Sequence, residues 1–167
     1  MQLYVKYKKT MNSNFSLDEL NKFIVQAKTS TYVGNGEKTI SCRTGSHDLK
    51  FQEGSFSYLD SYFGGTDFIG QEIVYHKDEP IWAMNYYGRI ILKNTVTAAE
   101  TGQIIKASLS RMYKEGRFLG GFEYSINGDT YSDSNEGDVV YFTGKEWITR
   151  NSVKVYELIY HGGLVLP

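Results

Sequence analysis

The chain has one cysteine, two prolines, no excess of either charge and no long apolar run in its 167 residues. A lone thiol, Cys42, cannot close an intramolecular disulfide and fits a reducing compartment, so a cytoplasmic location is expected. The longest apolar stretches, such as Val139 to Phe142, are strand-sized and far short of the ~20 residues a membrane helix needs. The amino terminus lacks the basic-then-apolar order of an export signal, so no membrane partner is expected. With 18 Lys and Arg against 19 Asp and Glu, the phosphate attraction that dominates nucleic-acid binding is missing, and no nucleic acid is expected as a partner of this chain alone. Gly-x-Ser-x-Gly does not occur, which removes the usual nucleophile elbow. Gly64-Gly65 runs into Thr66-Asp67 and a strand pattern rather than a helix, so it reads as a hairpin turn and not as a phosphate cradle. His47, His76 and His161 show no pair at zinc-ligand spacing, so no metal or cofactor is expected. No internal repeat or linker is visible.

What is abundant is aromatic: 14 Tyr, 9 Phe and 2 Trp. Tyrosine suits half-buried sheet faces because its ring packs while its hydroxyl reaches a polar partner. The length fits one domain, residues 1–167 with a core of about 16–163. Ser16 with Glu19, and Thr97 with Glu100, form capping boxes ahead of helical apolar stripes, Leu17, Leu20, Phe23, Ile24, Ala27 and Ile104, Ile105, Ser108, Leu109, Met112. Alternation and turn residues place strands at His47–Gln52, Ser55–Phe63, Phe68–His76 and Ile81–Leu92, the last bent near Gly88. After the second helix come Phe122–Ile126, a hairpin at Asn127-Gly128, Val139–Phe142, a turn at Gly144-Lys145, Glu146–Thr149 and Val153–His161. Leu3, Val5 and Tyr7 give a further short strand signal, and 32–45 reads as loop or irregular strand. The predicted fold is α+β: a strongly curved, mainly antiparallel sheet of about seven strands packed with two α-helices.

The densest polar cluster runs from Tyr58 to Glu72. Strand alternation puts Asp60 on one face with Phe56, Tyr58 and Tyr62, a carboxylate among rings. Such a group must be hydrogen-bonded, paired or protonated; it is either a ligand or acid–base group in a pocket, or simply part of a satisfied network. Trp82, Met84 and Tyr86 share one strand face, while Asn85 and Tyr87 share the other and could line a cavity, the plainer reading being cross-strand packing. The ligand-binding candidates are therefore Asp60, Tyr62, Asp67, Glu72, Asn85 and Tyr87. An acid–base alternative joins His47 to Asp60 or Glu72, with Asp48 beside His47 as an orienting carboxylate. Surface tyrosines give a third reading, a homodimer patch.

Three segments, Tyr58–Glu72 with its Leu-Asp-Ser-Tyr-Phe-Gly-Gly core, Trp82–Gly88 and Tyr156–Gly163, resemble an uncharacterised bacterial domain family. That family is found alone or as the C-terminal part of helix-turn-helix regulators of the XRE type. The resemblance covers about Leu20 to Gly163 and carries no assigned activity. It implies a domain suited to sensing a small molecule or partner; the residues before Tyr32 hold one helix, too few for the DNA-binding unit. The function read from the sequence is thus unknown, with a non-enzymatic ligand-binding or sensory domain favoured over a small hydrolase or isomerase and over a homodimeric interaction protein.

Overall fold

The computed structural model describes residues 15–36 and 38–165; the Leu3–Tyr7 strand signal lies outside them. Both capping boxes form. Glu19 N–H donates to Ser16 Oγ at 3.1 Å and Ser16 N–H to Glu19 Oε2 at 2.6 Å, opening helix α1, Leu17–Lys28. Thr97 and Glu100 repeat the exchange at 3.2 and 2.8 Å, opening α2, Ala98–Lys114. Each box satisfies two amide groups that a helix start leaves without partners. After α1 the chain continues as one π-helical turn, Thr29–Val33, where the sequence suggested that loop begins at Tyr32.

Among the described residues nine strands, where about seven were expected, make one antiparallel sheet: β1 Lys38–Thr39, β2 His47–Glu53, β3 Phe56–Gly64, β4 Phe68–His76, β5 Glu79–Ile90, β6 Phe122–Ile126, β7 Asp129–Asp138, β8 Tyr141–Arg150 and β9 Val153–Leu164. The spatial order is β1-β2-β3-β4-β5-β9-β8-β7-β6, and the sheet is not strongly curled as expected. Two elements depart most from the expected strands. β7 reads Asp-Thr-Tyr-Ser-Asp-Ser-Asn-Glu-Gly-Asp, almost without β-branched residues, and forms because it is paired on both sides. Gly144-Lys145 is no turn but the middle of β8, paired with Asn135-Ser134 and Tyr160-Ile159. The irregularity in β5 falls opposite Val74 and Tyr75, beside Pro80, rather than at Gly88, since proline has no N–H to give the ladder. Two-residue turns at Lys77-Asp78, Asn127-Gly128 and Asn151-Ser152 all take positive φ at both positions, the twist that hairpins prefer.

Both helices lie on one face of the sheet, and the core between them holds Leu20, Ile24, Val74, Trp82, Met112, Tyr131, Phe142, Ile148 and Tyr156. On the opposite, outer face, Ile69, Tyr87 and Ile159 form an exposed cross-strand row.

The strand order exposes an internal repeat where none was expected. Helix α1 precedes β2-β3-β4-β5, helix α2 precedes β6-β7-β8-β9, and the two four-strand units meet where β5 pairs with β9. Matching positions then align. β3 and β7 share Tyr-x-Asp-Ser-x-x-Gly at Tyr58-Asp60-Ser61-Gly64 and Tyr131-Asp133-Ser134-Gly137; β4 and β8 share Phe-x-Gly-x-Glu at Phe68-Gly70-Glu72 and Phe142-Gly144-Glu146. β5 and β9 share Tyr-x-Gly at Tyr86-Gly88 and Tyr160-Gly162. Tyr86 and Tyr160 are directly opposite each other across the junction, so the repeat is arranged about an approximate two-fold axis between them.

Candidate functional site

Alternation along a strand sends every second side chain to the helix-bearing face. In β3 these are Phe56, Tyr58, Asp60 and Tyr62, in β4 Phe68, Gly70 and Glu72, in β5 Trp82, Met84 and Tyr86. Where the helices stand off from this face they leave a cavity of about 480 Å³. Its walls are aromatic and apolar, with Tyr32, Phe68, Tyr113, Phe118, Tyr156 and Tyr160 prominent; its buried charged groups are Lys28, Asp60, Glu72, Asp133 and Glu146, and Lys38, His47 and Lys106 line it where it is less buried. The lining residues Lys38, Gly64, Gly65, Thr66 and Ala98 are exposed and mark its opening, whereas Met112, Tyr113, Phe118, Asp133 and Glu146 are buried and mark its depth.

The four carboxyls form two cross-strand pairs, one in each half: Asp60 opposite Glu72, and Asp133 opposite Glu146. Tyrosine hydroxyls serve both pairs. Tyr86 donates to Asp60 Oδ1 at 2.6 Å, Tyr160 to Asp133 Oδ2 at 2.8 Å, and Glu146 accepts from Tyr131 at 2.5 Å and Tyr156 at 3.0 Å. To reach its carboxyl, each central tyrosine lies across the neighbouring strand at a glycine. A Cβ at Gly70 would collide with the Tyr86 hydroxyl, and one at Gly144 with the ring and hydroxyl of Tyr160. The glycines are there so that a phenol can pass over the backbone.

Burial dominates the electrostatics, because removing a carboxylate from water favours its neutral form. It pushes Asp60 up to about 7, with the Glu72 charge adding to the rise while the Tyr86 hydrogen bond and Lys28 oppose it. It raises Glu146 to about 7 against the hydrogen bond from Tyr131, and Asp133 to about 6 against that from Tyr160. Lys28 Nζ stands 2.5 Å from Glu72 Oε2 with both side chains buried; the approach is an ion pair by distance, although its angles fall outside hydrogen-bond geometry. Asp133 Oδ1 is buried with no hydrogen-bond partner among the described residues.

Of the residues singled out from the sequence, Asp60, Tyr62, Glu72 and His47 line this cavity. His47 is paired across the strands with Tyr62, ring centroids 5.1 Å apart, which puts it diagonally from Asp60, a spacing of roughly 7–8 Å between backbones. Asp67 does not line it: its carboxylate accepts from Ile90 N–H at 3.2 Å and Lys93 Nζ at 3.3 Å, tying down the hairpin end. Asn85 and Tyr87 also lie elsewhere, on the outer face, where Asn85 accepts from Gln71 at 2.8 Å. The face of β5 assigned to the core is the one that also walls the cavity, because the helices cover only that side. Asp48 cannot orient His47, since adjacent strand residues point to opposite faces. Its carboxylate instead holds the 41–46 loop, accepting from Cys42 N–H, Ser46 Oγ and Ser61 Oγ, each at 2.7 Å. Burial would raise this group, but the Cys42, Ser61 and Ser46 hydrogen bonds outweigh it and hold the carboxyl well below its usual range. The three histidines are not brought together: His76 packs on Phe15 and Phe56, and His161 sits exposed opposite Asn85.

Sequence reasoning missed Lys28, Tyr86, Asp133, Glu146 and Tyr160. The signal that finds Asp133, Glu146 and Tyr160 is the repeat, which copies Asp60, Glu72 and Tyr86 onto them. Among the described residues no helix is long and apolar enough to cross a membrane. No curated protein and no solved structure matches the chain. One family model does, over residues 60–165, from the Asp60 carboxyl through both halves of the cavity floor to the end of β9. On that match the chain belongs to the family described as Domain of unknown function (DUF5680).

Proposed function

We propose that this is a non-enzymatic small-molecule-binding or sensory domain whose ligand enters the cavity between the sheet and the two helices. The observation that carries the reading is the cavity itself. At about 480 Å³ it falls in the size range of small-ligand sites, and it has their composition, mostly apolar walls with a few convergent polar groups. A filled interior with Asp60 satisfied in a dry network would have served stability alone. Cytoplasmic sensing fits this reading, as does the resemblance to the C-terminal parts of bacterial XRE-type regulators, where a ligand domain would act on a DNA-binding partner.

A thermal-shift screen of metabolites tests it, run beside Gly102→Leu. Gly102 lines the cavity from α2, and a Cβ there meets nothing within 4 Å. Leucine at this position stabilises the helix by about 0.8 kcal/mol while obstructing the cavity. Ligands that stabilise the wild type and not this variant support the reading; ligands that act equally on both, or none at all, count against it.

The acid–base reading keeps one specific observation, that His47, Asp60 and Glu72 face the same cavity. It requires turnover that is lost in His47→Gln with ligand binding retained.

A further inference from the structure

The two halves of the cavity floor match in their carboxyl pairs and differ in their cations. At the same distance from its capping residue, α1 carries Lys28 and α2 carries Leu109, and both side chains line the cavity. Lys28 supplies an ammonium to Glu72 in the first half. In the second half, among the described residues, no lysine, arginine or histidine forms an ion pair with Asp133 or Glu146. Arg117, whose charge is felt at Asp133, is committed to Glu115 and to the carbonyls of Leu119 and Gly121. Asp133, nine-tenths buried, is left with Oδ1 unpartnered at the deep end of the cavity.

Resting on the ligand-binding reading above, we propose that the cavity takes an organic amine. Its protonated nitrogen sits between Asp133 and Glu146, where the Lys28 ammonium sits in the other half, and its carbon skeleton lies along the aromatic wall. An anion entering the deep end would face four carboxyls against one buried lysine, since of the other two lining lysines Lys38 is exposed and Lys106 donates to Asn35 Oδ1. A neutral ligand would bring no positive charge to a pair of buried carboxyls that lacks an ion-pair partner of its own. Tyr113, Phe118, Tyr156 and Tyr160 supply ring faces that attract a cation and apolar surface for its skeleton. Among the described residues no three His, Cys, Asp or Glu side chains gather as a metal ion requires, so the paired carboxyls suit a nitrogen cation better. Burial holds Asp133 at about 6 and Glu146 at about 7, and a bound cation would displace those protons, so amine affinity rises with pH through this range. The other titratable and charged groups facing the pair are Tyr131 from β7, Tyr156 and Tyr160 from β9, Tyr113 from α2, Tyr32 from the π-helical turn, Lys28 from α1 and Arg117 beyond α2.

The test uses matched probes on one skeleton, 2-phenylethylamine, 2-phenylethanol and 3-phenylpropionate, with aliphatic triples built the same way, titrated by calorimetry into the full chain at pH 8. The amines should bind at least about tenfold tighter than their alcohols, the worth of one charge-assisted hydrogen bond, and the acids weakest. In Asp133→Asn, which keeps an acceptor for Tyr160, that preference of amine over alcohol should fall to near unity. Leu109→Lys, which restores the missing ammonium from within, should do the same without touching either carboxyl. Alcohols binding as well as amines, or a preference that survives both variants, overturns the amine assignment and leaves the cavity reading standing. No probe of any class binding overturns both.

Discussion

Replacing Glu146 by glutamine should remove a pH-dependent penalty from the fold. The carboxyl is raised from 4.5 to about 7, chiefly by burial. Below pH 4.5 it is protonated whether the chain is folded or not, and it costs nothing. Between 4.5 and about 7 the unfolded chain releases the proton while the folded one keeps it, so stability falls as pH rises. Above about 7 both forms are ionised and the loss is complete. At about 1.4 kcal/mol for each tenfold change in proton affinity, the full loss is roughly 3 kcal/mol, of which roughly 2–3 kcal/mol falls between pH 5 and 8. Glutamine is uncharged throughout. It must reverse one of the two tyrosine hydrogen bonds, a cost of about 1 kcal/mol that does not vary with pH. Urea unfolding followed by tryptophan fluorescence, at steps from pH 5 to 8, should therefore show Glu146→Gln gaining on the wild type by roughly 2–3 kcal/mol across the range. The variant will keep some slope of its own, because Asp60 and Asp133 are raised in the same sense. Parallel stability curves for the two proteins would show that Glu146 sits in a wet, unperturbed site and would refute burial as the force acting on its carboxyl.

Gly144→Ala should destabilise the chain by about 2–4 kcal/mol in the same unfolding assay, since the new methyl displaces Tyr160 and strands Asp133; a change below about 0.5 kcal/mol would mean the ring moves aside freely. Thr97→Ala should cost about 1 kcal/mol by thermal unfolding, through loss of the α2 cap alone, and leave probe binding at the cavity unchanged.

Much of the fold was legible because it is written in local chemistry. The two capping boxes, the Asn127-Gly128 hairpin and the alternation around Tyr58, Asp60 and Tyr62 each depend on residues a few positions apart, and each formed as read. β7 was illegible for the opposite reason: ten mostly polar residues become a strand only because β6 and β8 hold them from either side. Gly144 looked like punctuation because glycine usually is; its purpose in β8 is to let Tyr160 pass, which depends on a separate strand, β9, lying alongside.

By itself the sequence determined that Asp60 would stand among aromatic rings, since the period of a strand fixes which side chains share a face. It could not say which face the helices would cover, and so Asn85 and Tyr87 were placed in the cavity when they point away from it. Nor could it bring Asp133 and Glu146, more than seventy residues on, into the same chamber as Asp60 and Glu72. That union comes from β5 pairing with β9, a long-range contact set by how the two halves bury their shared apolar surface, and it is this contact that turns two separate carboxyl pairs into one site.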